Sequence, residues 1–167
     1  MIRHAAWILV ALALVLGAEI AEAAEWGGIK PGDSTMDTVR ARFGPPSQTK
    51  TEKIEGYDTS QWLYEGPRAP GGIQRLVVDF GFLVDGAFRP QMVRAFRLEP
   101  KPGIFTRAMV LAGWGEPTRV SPVDQLPRTF FYDDGLLIHF DNNGQQVESM
   151  LFVVPQTPKD GGGAPPR

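Results

Sequence analysis

The stretch KPGDSTMDTVRARFGPP, residues 30–46, is followed later in the chain by KPGIFTRAMVLAGWGEP, residues 101–117. Both stretches contain a Lys-Pro-Gly start, a threonine, a valine, an aromatic residue and a final Gly-x-Pro, and each shared position is displaced by 71 residues. So many matches in one register indicate that a single unit is repeated in tandem. The chain is therefore predicted to contain two related modules, residues 24–99 and residues 100–154.

Each copy has the features of a short helix with a defined start and end. A Pro-Gly turn leads to Ser34 or Thr35 in the first copy and to Thr106 in the second, where a side-chain oxygen can cap the first backbone N–H groups. Gly44 and Gly115 stand where a left-handed residue ends a helix, and the proline that follows prevents its continuation. These glycines therefore terminate helices and do not form a phosphate-binding loop.

The two predicted helices differ in polarity. In the first, Asp37, Arg40 and Arg42 form a solvated face. In the second, Arg107 is nearly the only charged residue between positions 105 and 114. A helix that is apolar all round is usually buried all round. We therefore expect the second helix to lie between the modules or against a partner.

Alternating apolar residues predict three strands after each helix. Residues 61–64 correspond to residues 129–132, and apolar side chains then alternate at six matched positions: Leu76, Val78 and Phe80; Leu136, Ile138 and Phe140. Asp85-Gly86 and Asn143-Gly144 are hairpin turns, whereas the polar residues 48–55 predict a loop or an edge strand. The predicted fold class is α+β, with two tandem modules that each pack a short helix on a three-stranded antiparallel sheet.

Residues 1–23 have the pattern of a secretory signal peptide. A weakly basic start precedes an apolar run over residues 5–16, and Ala21-Glu22-Ala23 offers a small-x-small cleavage site. An uncleaved anchor is the alternative, although the run is short for a membrane span of about 20 residues. With cleavage, the mature chain has no integral span, and its predicted location is periplasmic or secreted.

Composition narrows the classes of partner. The chain contains no cysteine, so neither disulfides nor a lipid-anchoring cysteine are available. Lys and Arg number 17 against 19 Asp and Glu, without a basic cluster, which argues against binding to nucleic acid. Residues 155–167 are rich in glycine and proline and are predicted to form a disordered tail.

The combined pattern resembles a known family. The sequence Gly, Ser or Thr, Val, aromatic, Gly-x-Pro, followed by Trp62 and Tyr64 and a β-hairpin, resembles the SmpA/OmlA domain of BamE-type outer-membrane assembly proteins. The tandem arrangement is similar to the β-lactamase inhibitor protein fold, whose two halves form a concave binding sheet. The resemblance covers about residues 26–154. It implies a protein-binding role in the bacterial envelope, or alternatively the inhibition of an envelope or secreted enzyme.

Residues that could support catalysis or metal binding are few. His139 and Asp141 lie two apart on a predicted strand, about 7 Å from each other and beyond a direct hydrogen bond. Residues 141–144 lack the alternating acids of a calcium loop. We therefore expect no catalytic residues, no metal and no cofactor.

Large aromatic residues occupy matched places in the two modules. The candidate interaction surface consists of Trp62, Tyr64, Phe130 and Tyr132 together with His139. Leu63 and Phe131 point to the opposite face, and alternation alone does not say which set is core. A curved sheet buried on both faces is the alternative. The predicted function is an exported, non-enzymatic module that binds an envelope or secreted protein; a carrier of a small apolar ligand is a further alternative.

The signal peptide gives the first testable prediction. If residues 1–23 are cleaved during export, the mature protein should begin near Ala24 and should be released by osmotic shock without detergent. Intact-mass measurement of the released protein checks this. A membrane-bound form that retains Met1 would contradict the prediction and favour the uncleaved anchor.

Overall fold

The computed structural model describes residues 23–155, so nearly all of the predicted signal peptide and tail lie outside the described residues. The first half contains α1 (Met36–Phe43), β1 (Gln48–Ile54), β2 (Tyr57–Glu65), a 3₁₀ turn (Gly66–Arg68), β3 (Ile73–Val84) and β4 (Ala87–Pro100). The second half contains α2 (Arg107–Trp114), β5 (Arg119–Ser121), β6 (Thr129–Phe131), β7 (Leu136–Phe140) and β8 (Val147–Val153).

The eight described strands form one antiparallel sheet in the order β1-β2-β3-β4-β8-β7-β6-β5. The predicted fold of two modules, each with a helix on three strands, is therefore wrong. Each half contributes four strands, and residues 95–98 of β4 pair with residues 150–153 of β8. This pairing joins the two halves into a single sheet.

β1 and β5 lie at the two edges of the sheet. The polar residues 48–55, predicted to form a loop or an edge strand, form the edge strand β1, whereas β5 was not predicted. β1 has the polar sequence QTKTEKI, and six of its seven side chains are exposed. Backbone pairing with β2 along its whole length holds it in place, and such pairing requires no apolar side chain. Lys50 and Lys53 suit this position because charged side chains discourage an edge strand from pairing with another molecule.

The repeated sequence stretches produce repeated geometry. Thr35 caps α1 and Thr106 caps α2, each by accepting a backbone N–H bond on its side chain. Helix α1 ends at Gly44, whose carbonyl accepts a hydrogen bond from the hydroxyl of Tyr64 at 3.1 Å. In the second half the Tyr132 hydroxyl donates to Gly115 at 3.1 Å. The same tyrosine bond therefore ties each helix end to the sheet.

The core lies between the two helices and one face of the sheet. Val39 of α1 and Val110 of α2 are fully buried. Where the halves meet, the rings of Phe96 and Phe152 stack with centroids 4.4 Å apart, and both side chains are buried. Burial of each such side chain contributes about 1.5–3 kcal/mol. One core cluster thus contains residues of both halves, from Ala24 to Phe152.

Helix α2 is not buried all round. Met109 is 51% exposed, and Ala108, Ala112 and Gly113 are exposed as well, whereas Val110 alone on this helix is fully buried. The prediction that α2 lies between the modules is therefore wrong, because the halves meet through β4 and β8. An apolar sequence indicated burial here, but the helix packs on the sheet along one side only.

The paired tyrosines predict a specific dependence on pH. Burial is the main cause that raises the pKa of Tyr64 to about 12 and that of Tyr132 to about 12. In the unfolded chain a tyrosine ionises near pH 10. The neutral hydroxyls therefore stabilise the fold fully below that pH, and the stabilisation is lost as the pH rises towards 12.

Replacement of either tyrosine by phenylalanine should lower the free energy of unfolding by about 1 kcal/mol at neutral pH, because a helix-end carbonyl loses its donor. Tyr64→Phe should cost more than Tyr132→Phe, since Tyr64 is fully buried. Denaturant titrations at several pH values should show a smaller loss of stability above pH 10 in the double variant. If the double variant lost as much stability above pH 10 as the unsubstituted protein, the two tyrosines would not be the cause of the pH dependence.

Candidate functional site

Most of the predicted interaction surface faces the core. Trp62, Tyr64 and Phe130 are 5%, 0% and 3% exposed. Tyr132 is half-buried. The predicted surface is therefore wrong for the three buried residues, which no partner can reach without unfolding.

The helices determine which face of the sheet is core. The Arg40 guanidinium of α1 lies 5.1 Å from the centre of the Trp62 ring, and Phe43 packs against Tyr64 with ring centroids 6.0 Å apart. In the second half Arg107 of α2 lies 4.7 Å from the Phe130 ring. Strand alternation separates two sets of side chains, but the positions of the helices assign one set to the core.

His139 is exposed and lies on the face that carries no helix. Its Nδ1 atom is 2.8 Å from the Thr129 hydroxyl on the neighbouring strand. The Asp141 carboxylate has other partners: it accepts backbone N–H bonds from Gln145 at 2.9 Å and from Gln146 at 3.2 Å. These bonds, the one from Gln145 first, lower the pKa of Asp141. The two residues therefore have separate roles, in a cross-strand pair and in a turn.

The opposite face of the sheet carries a row of apolar side chains. We call this surface the open face. The strand register places one residue from every strand side by side, from edge to edge: Gln48, Leu63, Val77, Arg97, Leu151, Leu137, Phe131 and Arg119. Five of these eight are apolar. Because strands lie about 4.8 Å apart, the row from β2 to β6 is about 24 Å long.

Four of the five apolar residues of this row keep contact with solvent, and Val77 is buried. Leu63, Leu137, Leu151 and Phe131 are half-buried, and Val77 is 8% exposed. Both helices pack against the other side of the sheet, through Val39 and Val110 of the core cluster. The open face thus presents two apolar stretches, one on each side of Arg97, that the described helices leave uncovered.

Of this row, only Leu63 and Phe131 were predicted to lie on the face opposite the large aromatic residues. The informative pattern for the others is a run of three apolar residues within a strand, which leaves an apolar side chain on each face. Three strands have such a run: Leu76-Val77-Val78, Leu136-Leu137-Ile138 and Met150-Leu151-Phe152. Arg97 and Arg119 had no comparable pattern, since their place in the row depends on the pairing of distant strands.

The charged groups of the open face are unevenly distributed. Arg97 lies in the middle of the apolar row, with its Nε atom 3.8 Å from a carboxylate oxygen of Glu99. Arg119 lies at the end of the row, with its guanidinium 5.5 Å from the centre of the Phe131 ring. The paired positions of β5 to β8 on this face contain an arginine and a histidine but no carboxylate. The exposed Glu148 of β8 lies at the register shift, outside these paired positions. The paired part of this half is therefore apolar, with Arg119 at its edge.

Two clefts lie elsewhere on the surface. One of about 540 Å³ beside α1 is lined in part by Trp26 and Phe43. Arg42 and Arg68 also line it, but they donate hydrogen bonds to the backbone carbonyls of Gly27 and Pro45. A smaller cleft of about 210 Å³ lies between two hairpin tips, beside the stacked rings of Tyr57 and Phe88. In the larger cleft the two arginines hold loops together.

The outer faces of the two helices differ despite their equivalent positions. On α1 this face carries Asp37, Thr38 and Arg42, whereas on α2 the matched residues are Ala108, Met109 and Gly113. Both helices pack on the sheet in the same way, so packing does not explain why the exposed side of α2 is apolar. It is a second apolar area, on the side of the sheet away from the open face.

Other kinds of site find little support among residues 23–155. No group of three His, Cys, Asp or Glu side chains in that range could hold a metal ion. Within the same range, neither helix has the length and apolar character needed to cross a membrane.

Comparisons with known proteins do not assign this chain to a family. No protein-family model matches the chain, and no curated protein matches it. Among solved structures, it is similar to the crystal structure of a DUF4309 family protein (YjgB) from Bacillus subtilis, at 12% identity and a TM-score of 0.37. The match covers 80% of this chain and 88% of that chain. A TM-score of this size carries no argument, so the resemblance to SmpA/OmlA domains stays a prediction from the sequence.

Proposed function

We propose that this protein is an exported, non-enzymatic module that binds another protein in the bacterial envelope, in a BamE-like role in outer-membrane assembly or maintenance. The observation that supports the proposal best is the apolar row of the open face. It runs over six neighbouring strands from Leu63 on β2 to Phe131 on β6, with Arg97 on β4 as its one charged member. The role in the envelope rests on the predicted signal peptide and on the family resemblance.

The composition of the open face suits a protein partner. Protein interfaces have apolar centres, and they are enriched in aromatic residues and arginine but depleted in carboxylates. The part of the face that contains Leu151, Leu137 and Phe131 has this composition, and it lies between Arg97 and Arg119. A sheet surface of this kind offers area for contact and no enclosed site for a small molecule.

The two arginines indicate the charge of the partner. They lie on β4 and β5, which are four strand spacings or about 19 Å apart. Arg97 already has Glu99 as a neighbour, but the paired positions on β5 to β8 carry no carboxylate on this face, so Arg119 favours a partner with acidic side chains beside an apolar centre. Such a partner would pair with Arg119 while covering the apolar residues beside it.

Substitutions on the two sides of the sheet test the proposal. Leu137→Ser and Leu151→Ser remove half-buried side chains from the open face, and Arg97→Glu reverses a charge there. Each should weaken capture of the envelope partner at least tenfold, which corresponds to about 1.4 kcal/mol. Capture of the tagged protein from envelope extract, followed by titration with the identified partner, measures this.

Met109→Ser on α2 is the matched control, since it also replaces an exposed apolar residue but on the other side. We expect it to bind as the unsubstituted protein does. Melting curves must show that every variant is folded. Loss of binding in Met109→Ser with full binding in the open-face variants would contradict the proposed face. Inhibition of a captured enzyme by the protein would favour the inhibitor role instead.

A further inference from the structure

The backbone nitrogen of Ala24 occupies a defined place in the fold. It donates a hydrogen bond of 2.8 Å to the carbonyl oxygen of Asp134 in the turn between β6 and β7. The Ala24 side chain is 7% exposed and belongs to the core cluster. Residue 24 is thus fixed in the second half of the molecule, although α1 and the first half of the chain follow it.

The turn that receives this nitrogen carries two adjacent carboxylates, Asp133 and Asp134. Within residues 23–155 neither has an ion pair with a lysine, arginine or histidine. The Asp134 carboxylate accepts a long bond of 3.4 Å from the N–H of Leu136. Its burial raises the pKa of Asp134, the N–H bond from Leu136 lowers that pKa by less, and the charge of Asp133 adds a smaller increase. The turn therefore concentrates negative charge that the described side chains leave uncompensated.

We propose that this turn is a binding site for the ammonium group that export processing creates on Ala24. The inference rests on the proposed export, because cleavage after Ala23 is what frees the Ala24 nitrogen. Water adds across the Ala23–Ala24 peptide bond, with a signal peptidase as catalyst. The Ala23 carbonyl leaves as a carboxylate on the leader, and the Ala24 nitrogen takes up protons to become an ammonium.

The geometry allows the new charge to remain where the amide is. An ammonium group has three N–H donors. One can keep the bond to the Asp134 carbonyl, and the other two become available to the Asp134 carboxylate or to water. Charge-assisted bonds of this kind are stronger than the neutral bond that they replace. Processing would therefore stabilise the mature fold relative to the precursor and would fix its first residue.

A comparison of four forms tests the site. The chain from Ala24 to Arg167 contains every described helix and strand, and it can be prepared with a free or an acetylated Ala24 nitrogen. Each form is made with Asp134 and with Asp134→Asn, which keeps the acceptor for Leu136. Near pH 6.5 the free amine is charged.

We expect acetylation to lower the melting temperature by about 3 °C in the unsubstituted chain and to change it little in Asp134→Asn. Asp133→Asn is the matched control: its carboxylate is exposed, so the effect of acetylation should largely remain. If Asp134→Asn fails to fold, a Gly-Ser extension before Ala24 replaces it, because the extension moves the ammonium away and should act as acetylation does.

An equal effect of acetylation with and without the Asp134 charge, or no effect at all, would overturn the proposed site. The export proposal fails separately. If the exported protein retains residues 1–23 by intact mass, the processing is absent whatever the four forms show. Correct cleavage without coupling between the amine and Asp134 would contradict the ammonium site alone.

Discussion

Pairing between β4 and β8 is the interaction on which the rest of the structure depends. Residues 95–98 pair with residues 150–153, and the Phe96 and Phe152 rings stack beneath them with centroids 4.4 Å apart. Removal of either ring would leave a cavity that typically costs about 3–5 kcal/mol. The same four-residue ladder also brings Arg97 beside Leu151, so the open-face row is continuous only because the two halves share this pairing.

The two halves have the same order of elements but have diverged at their surfaces. Tyr64 and Tyr132 make the same bond to a helix end, so this internal contact is common to both halves. The helix surfaces carry charged residues on α1 and small or apolar residues on α2. The two halves thus share their internal contacts, whereas their exposed side chains differ. The exposed helix surface is more apolar in the second half than in the first.

Short stretches of sequence predicted where the helices begin and end, but they did not predict which distant strands pair. The caps at Thr35 and Thr106 and the ends at Gly44 and Gly115 follow from short-range chemistry, and the structure places them as predicted. The aromatic positions were recognised as one face of a strand, but the choice between core and surface depended on where the helices pack. The three-residue edge strand β5 and the β4–β8 pairing have no periodic pattern of their own, so the single sheet was not predicted.

Hydrogen exchange resolved by segment, in a Phe152→Ala variant, tests most directly the claim that one shared sheet supports the open face. Phe152 lies in the second half, yet its ring stacks on Phe96 of the first. We predict that amide protection falls together in β3 and β4 and in β7 and β8, because the β4–β8 pairing belongs to both halves. If protection fell only in β7 and β8 while β3 and β4 kept theirs, the halves would be independent, and the continuous binding row would lose its structural basis.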